Sequence, residues 1–168
     1  MTPTELQQAY ENHADAVFRF AFRITGSVAV AEDLAHDCFV ALGRGSAAYN
    51  PEKGSLRVFL LGVTRRLAAR LWRTESRLDP LGEDGRFVEP TSLETLEIQD
   101  AVAACVGALP PLQREVLVLA EYEGLTLREI AQAVETEVGT VKARLHRARE
   151  NLRKTLAPFA PARRNPTA

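Results

Sequence analysis

The sequence predicts an all-α chain of two small helical domains joined by a flexible acidic linker. Apolar residues recur at three- and four-residue spacing along almost the whole chain, and strand-like alternation is nearly absent. Thr74 to Pro90 has no apolar periodicity and contains Asp79-Pro80, Gly82-Glu83-Asp84-Gly85 and Glu89-Pro90, the composition of a linker. The 168 residues suit one ordinary domain or two small ones, and two units of this size would each have a thin core. The expected organisation is therefore a unit at 1–73, a linker at 74–90, a second unit at 91–157 and a disordered tail at 158–168.

In the first unit, Leu6, Tyr10, Val17, Ala21 and Ile24 predict one face of a first helix, broken at Thr25-Gly26-Ser27. A second helix is expected from Ala29 to Leu42, with Leu34, Cys38 and Leu42 inward and Glu32, Asp33, His36 and Asp37 on the opposite side. The stretch from Gly43 to Gly54 is rich in small and turn residues. A third helix, from Leu56 to about Arg73, should turn Phe59, Leu60, Val63, Leu67 and Leu71 inward and a cluster of arginines outward.

The second unit restarts at Thr91-Ser92-Leu93-Glu94, which reads as a capping box. Ile98, Val102, Cys105, Val106 and Leu109 form the next stripe, and Pro110-Pro111 ends that helix and starts another. That helix carries Val116, Leu117 and Leu119 and stops at Glu123-Gly124. Thr126-Leu127-Arg128-Glu129 is a second capping box, opening a short helix through Ile130, Ala131 and Val134. After Glu135-Thr136-Glu137 comes a longer helix with Val138, Val141, Leu145, Ala148 and Leu152 inward, ended by Pro158.

A net charge of −1 conceals strong segregation. Residues 57–77 carry +5 and residues 138–168 carry +7, each preceded by an acidic stretch. Two separated basic segments suggest two contacts with a polyanion. No apolar run is long enough to span a bilayer, the polar N-terminus is unlike a signal peptide, and a cytoplasmic protein is expected. Cys38 and Cys105 sit in apolar helical patterns without a CxxC or Cys/His cluster, so they read as small buried hydrophobes rather than metal ligands. His13, His36 and His146 are scattered, and no phosphate-binding glycine loop or nucleophile constellation occurs. Neither catalysis nor a cofactor is expected.

Residues 126–150 form a helix-turn-helix pattern. Ile130, Ala131 and Val134 would pack on Val138, Val141 and Leu145, and the small Ala131 permits close approach. The longer helix then offers Lys142, Ala143, His146 and Arg147 to a DNA major groove, with Arg144, Arg149 and Arg153 flanking within reach of phosphates. The turn lacks the usual glycine, since Glu135 stands there, and Thr136 replaces a usual apolar residue; either Glu135 takes a strained left-handed geometry or the turn is of a different kind.

Leu109-Pro110-Pro111, Gln113-Arg114-Glu115-Val116-Leu117, Glu123-Gly124-Leu125-Thr126, Glu129-Ile130-Ala131 and Val138 through Arg149 closely resemble region 4 of extracytoplasmic-function (ECF) sigma factors. His13-Ala14 through Phe20, Arg23-Ile24-Thr25-Gly26, Ala31-Glu32-Asp33-Leu34, Phe39 and Gly54-Ser55-Leu56-Arg57 look like sigma region 2. The resemblance covers about residues 6–156, in order. It implies a protein that binds core RNA polymerase, directs it to promoters and promotes DNA melting. Region 2 would bind the β′ clamp helices through Asp33, Asp37, Glu32 and His36. It would capture the melted single-stranded −10 element through Tyr49, Asn50, Arg57, Arg65, Arg66, Arg70 and Arg73. Region 4 would read the duplex −35 element through the basic helix and touch the β flap. An anti-sigma factor is a further candidate partner. Arg66 and Arg70 depart from the Asn and Asp or Asn common at those positions in the family, which bears on −10 specificity. Phe59 stands where the family often has Trp, and reads as core. Two other readings are a stand-alone helix-turn-helix regulator and a partner-binding module; the acidic Asp33/Asp37 face and the arginine helix after a Gly-Ser loop favour the sigma reading.

Overall fold

The computed structural model describes residues 1–45, 47–75 and 98–159. The linker from residue 76, the Thr91–Glu94 capping box and the tail from residue 160 lie outside the described residues. Among the described residues the secondary structure is helical, with α1 (Pro3–Thr25), α2 (Val28–Gly43), α3 (Leu56–Glu75), α4 (Ile98–Ala108), α5 (Pro111–Leu117), α6 (Leu127–Ala133) and α7 (Val138–Leu156). A short 3₁₀ turn, Pro51–Lys53, precedes α3, and a π-helical turn, Val118–Tyr122, widens the end of α5.

Local chemistry sets most boundaries. Thr2 and Glu5 form a capping box at the start of α1, and Gly26, at φ 72°, closes its end. Ser27 Oγ accepts from the Val30 amide to open α2. Pro111 occupies the first turn of α5, where no amide donor is needed. Thr126 and Glu129 form the expected capping box of α6. Helix α3 continues to Glu75, two residues into the expected linker.

The first three helices pack together, and α5, α6 and α7 form the second unit, with α4 lying against α7 and α1. Leu34, Cys38 and Leu42 are buried as expected, and Tyr10 is not. Tyr10 lies at the surface and sets its ring edge-on to Phe39, at 5.1 Å between centroids. Helix α3 departs most from its predicted face. Leu60 and Val63 are buried towards α1 and α2, but so are Val58, Leu61 and Ala68 on another side, while Phe59 and Leu67 are half-buried and Leu71 is exposed. The cause is a second partner. Val58, Leu61 and Ala68 belong to one apolar cluster with Phe20 and Ile24 of α1, Val116 and Leu117 of α5, and Ile130 of α6. The thin cores of the two units are thus completed by each other.

The close approach of α3 and α6 requires Gly62: a β-carbon there would meet the Ala133 carbonyl oxygen at 3.2 Å and its α-carbon at 3.3 Å.

Both cysteines are buried and free. Cys38 Sγ contacts the Leu60 carbonyl at 3.5 Å, and burial pushes its thiol up to about 11; burial also raises Cys105. A thiol held protonated is a poor nucleophile. Iodoacetamide at about pH 8 should therefore leave Cys38 unmodified in the native protein, while the urea-unfolded chain is alkylated at both cysteines. Mass spectrometry of the labelled protein checks this; rapid native alkylation of Cys38 would contradict its placement.

Candidate nucleic-acid and partner-binding surfaces

The acidic face of α2 is built by its opposite side. Ala31, Leu34 and Cys38 are buried, which leaves Glu32, Asp33, His36 and Asp37 exposed together. Asp33 and Asp37 are one helical turn apart, a spacing that presents two carboxylates side by side to a cationic surface.

The loop before α3 is held by its own polar groups. Tyr49 Oη donates to the Gly54 carbonyl at 3.0 Å, and its ring packs on Phe59, 5.4 Å between centroids. Asn50 Oδ1 accepts from the Glu52 amide at 2.9 Å, capping the 3₁₀ turn. These residues border a cavity of about 300 Å³. Val58, Gly62 and Arg66 of α3 and Gln132, Ala133 and Glu135 of the second unit also line it. Gln132 also donates from Nε2 to the Lys53 carbonyl.

The five arginines expected to follow a single strand are placed unequally. Arg70 and Arg73 are exposed. Arg66 is half-exposed and lies 3.5 Å from Glu135. Arg57 donates to Glu123 Oε2 at 2.6 Å and to the Glu123 carbonyl at 2.9 Å. Arg65, only 16% exposed, grips Glu115 with two bonds, Nε to Oε2 at 2.8 Å and Nη2 to Oε1 at 3.0 Å.

The carboxylates in these pairs were not singled out as functional by the sequence pattern. Glu115 is fully buried. Burial raises its pKa, against the hydrogen bonds and charge of Arg65 and the charge of Arg144. Glu123, with 1% of its side chain exposed, also has Arg19 and Arg23 at 3.9 Å. Those distances are too long for hydrogen bonds but close enough for attraction. Arg114 adds a further link, donating to the Ile24 carbonyl at the end of α1 and to the Leu109 carbonyl. A buried Glu one helical position before Val116-Leu117 was the available signal: a charge there needs a cation from elsewhere.

On α7, Lys142, Ala143, His146 and Arg147 share an exposed face, opposite buried Val141, Leu145 and Ala148. Arg149 and Arg153 are exposed and paired, Arg149 with Glu121 at 2.6 Å and Arg153 with Glu150 at 2.5 Å. Arg144 differs from the expectation that it flanks the groove. It is 8% exposed, on the inward side between Val141 and Ala148, where its charge acts on Glu115. Its spacing from both neighbours, three and four residues, already puts it on the buried stripe.

Comparison with known proteins gives a consistent likeness. The model of sigma-70 region 2 matches residues 9–78, and that of sigma-70 region 4 matches residues 99–152. The ECF RNA polymerase sigma factor SigE of Mycolicibacterium smegmatis is 33% identical over 153 residues, covering 86% of this chain. This chain spans 59% of that relative's length. SigW of Bacillus subtilis, also an ECF sigma factor, is 24% identical, covering 86% of this chain and 84% of SigW. In fold, the chain resembles the sigma factor RpoE of Bartonella quintana, solved with the anti-sigma factor NepR, at a TM-score of 0.72 and 23% identity over 91% of this chain and 97% of RpoE. No helix among the described residues is long and apolar enough to cross a membrane.

Glu135 joins the two helices of the turn at φ 54°, the one non-glycine residue with positive φ among those described. Left-handed backbone costs a residue with a β-carbon ~1–2 kcal/mol. Its half-exposed pair with Arg66 returns at most ~1 kcal/mol. Glu135→Gly should therefore stabilise the fold by about 1 kcal/mol and raise Tm by about 2–4 °C. Thermal unfolding followed by circular dichroism checks this, and a lowered Tm would show that the pair outweighs the strain.

Proposed function

Because the chain belongs to the ECF group of the sigma-70 family, we propose that it binds core RNA polymerase, directs it to promoters carrying −35 and −10 elements, and promotes melting of the −10 DNA. The observation that carries this reading is the pairing, in one chain and in family order, of an exposed acidic face on α2 with an exposed basic face on α7. The acidic face suits the cationic clamp helices of β′, and the basic face suits a major groove, which has room for one helix. Glu32, Asp33, His36 and Asp37 hold the polymerase. Tyr49, Asn50, Arg57, Arg65, Arg66, Arg70 and Arg73 form the −10 surface. Lys142, Ala143, His146 and Arg147 read the −35 element, with Arg149 and Arg153 on phosphates; Arg144 instead supports α7 from within. The division of labour follows the expected domains, 1–73 and 91–157.

The chemistry of transcription belongs to the polymerase, and we assign this chain no catalytic role. Its site of action is the cytoplasm, where the polymerase works. An anti-sigma factor is proposed as a regulatory partner, on the precedent of RpoE with NepR. Run-off transcription by core polymerase that depends on the added chain tests the proposal as a whole.

Polymerase binding should fail when charge is reversed. Like charges brought together across an interface cost several kcal/mol. Asp33→Arg with Asp37→Arg should abolish co-elution with core polymerase while helix content is kept. Undiminished co-elution would remove these residues from the contact.

Base reading and phosphate grip should separate on α7. Arg147→Ala should cost ~1–3 kcal/mol at a cognate −35 duplex and relax preference at one base pair. Arg153→Ala should weaken all sequences alike and reduce the salt slope by about one unit. Binding of the holoenzyme to a −35 library at several salt concentrations measures both. The same uniform loss for both variants would mean that Arg147 reads no base.

A further inference from the structure

We propose that Arg66 selects the base held in the cavity beside the Tyr49–Ser55 loop, and that the base it selects is guanine. The proposal rests on the functional reading above, which brings an unstacked base of the −10 element to this loop. It adds which base that is and which side chain reads it.

The shape of the cavity comes from α3 and the loop together. Phe59, Gly62 and Arg66 follow one another at three- and four-residue spacing, so they lie along one side of α3. Phe59 stands at one end of this row and Arg66 at the other, and Gly62 between them puts no side chain into the cavity. The Tyr49 ring packs on Phe59, 5.4 Å between centroids. The space of about 300 Å³ therefore has an aromatic wall, a stretch of bare backbone and a guanidinium at its edge. It lies at the lower limit of the ~300–1,000 Å³ usual for small-ligand sites, a size that suits one flat ring system.

The polar side chains of the loop are turned to its own backbone. Tyr49 Oη donates to the Gly54 carbonyl, Asn50 Oδ1 accepts from the Glu52 amide and Ser55 Oγ accepts from the Val58 amide. These bonds hold the loop and leave discrimination between bases to the cationic side chains that line it, Lys53 and Arg66. A lysine is a compact point charge on a flexible stem and takes an acceptor wherever it lies, whereas the Arg66 guanidinium is a rigid planar fork of donors. Such a fork fits two acceptors side by side. Guanine carries that pair in O6 and N7, while adenine sets a donor beside its N7 and thymine a methyl group beside its O4. Cytosine has adjacent acceptors on its pairing edge, but its single ring fills less of the space between the Tyr49 wall and Arg66. The guanidinium already draws an anionic oxygen from the cavity side: Glu135 Oε1 lies 3.5 Å from Arg66 Nη1, and the Glu135 side chain, 61% exposed, can swing aside for a base.

The test uses holoenzyme made with the full chain and a library of premelted templates, randomised in the upstream duplex and in the non-template strand of the bubble. Templates that yield run-off transcript are sequenced. The unaltered chain should enrich guanine roughly tenfold at one position of the bubble, within the discrimination of one bidentate pair. Arg66→Lys keeps the charge and loses the fork, and should bring that position to near parity while preferences at other positions stay. Placing 7-deazaguanine there, which replaces the N7 acceptor by C–H, should cost the unaltered holoenzyme most of its preference and cost the Arg66→Lys holoenzyme nothing further. The altered base also carries the test on its own if Arg66→Lys fails to fold. Enrichment of cytosine or another base in place of guanine, a guanine preference that survives Arg66→Lys, or indifference to 7-deazaguanine would each overturn the proposal. The functional reading survives any of these results as long as transcription depends on the added chain. If no template is transcribed in dependence on it, that reading falls and the assignment to Arg66 with it.

Discussion

Two carboxylates shut away from water hold this structure in its packed form, and both depend on arginines from the other half of the chain. Glu115 is fully buried and held by Arg65; Glu123 is almost as enclosed and held by Arg57. A buried carboxylate left without its cation costs on the order of 3–5 kcal/mol, whereas the intact pair contributes little over a well-packed apolar substitute. Such pairs therefore act less as glue than as a register. Glu115 of α5 meets Arg65, and Glu123, just beyond the π turn, meets Arg57. The apolar surface of Val58, Leu61, Val116, Leu117 and Ile130 supplies the attraction, and the pairs fix where it is used.

The contact between the two units combines apolar burial with three ion pairs, Arg57 with Glu123, Arg65 with Glu115 and Arg66 with Glu135. The interface is joined by a modest set of side chains, and its charged members have an alternative partner in nucleic-acid phosphate. Replacing one anion by another costs much less than stripping a guanidinium bare. The acidic face of α2 and the basic face of α7 lie outside the covered surface, so both remain available for a first encounter.

Much of the fold could be read from the sequence, because it is written in local terms. The Thr126/Glu129 capping box, the Pro110-Pro111 boundary and the left-handed position of Glu135 depend on residues within one turn of each other, and each is where its chemistry puts it. Tyr10 escaped because an aromatic at a core spacing near a helix start can instead lie over the rim, here against Phe39. Helix α3 escaped for a different reason. Its second apolar face, Val58, Leu61 and Ala68, has a meaning only when another unit covers it, and periodicity within one helix cannot name a partner far along the chain. The pairing of Arg57 and Arg65 with Glu123 and Glu115 was hidden in the same way: separated by 66 and 50 residues, they share no local pattern. Arg144 is the opposite case, since its place on the buried stripe of α7 was legible and was outweighed by its charge.

The central claim is that the two halves pack on each other in the free chain, joined by Glu115 with Arg65 and Glu123 with Arg57. A distance measurement between labels on Glu11→Cys of α1 and Arg128→Cys of α6, both exposed positions away from the assigned contacts, tests it most directly. The native cysteines are buried and stay unlabelled. Energy transfer between the labels should report a short, single distance in the free chain. A long or broadly spread distance in the free chain would contradict the account.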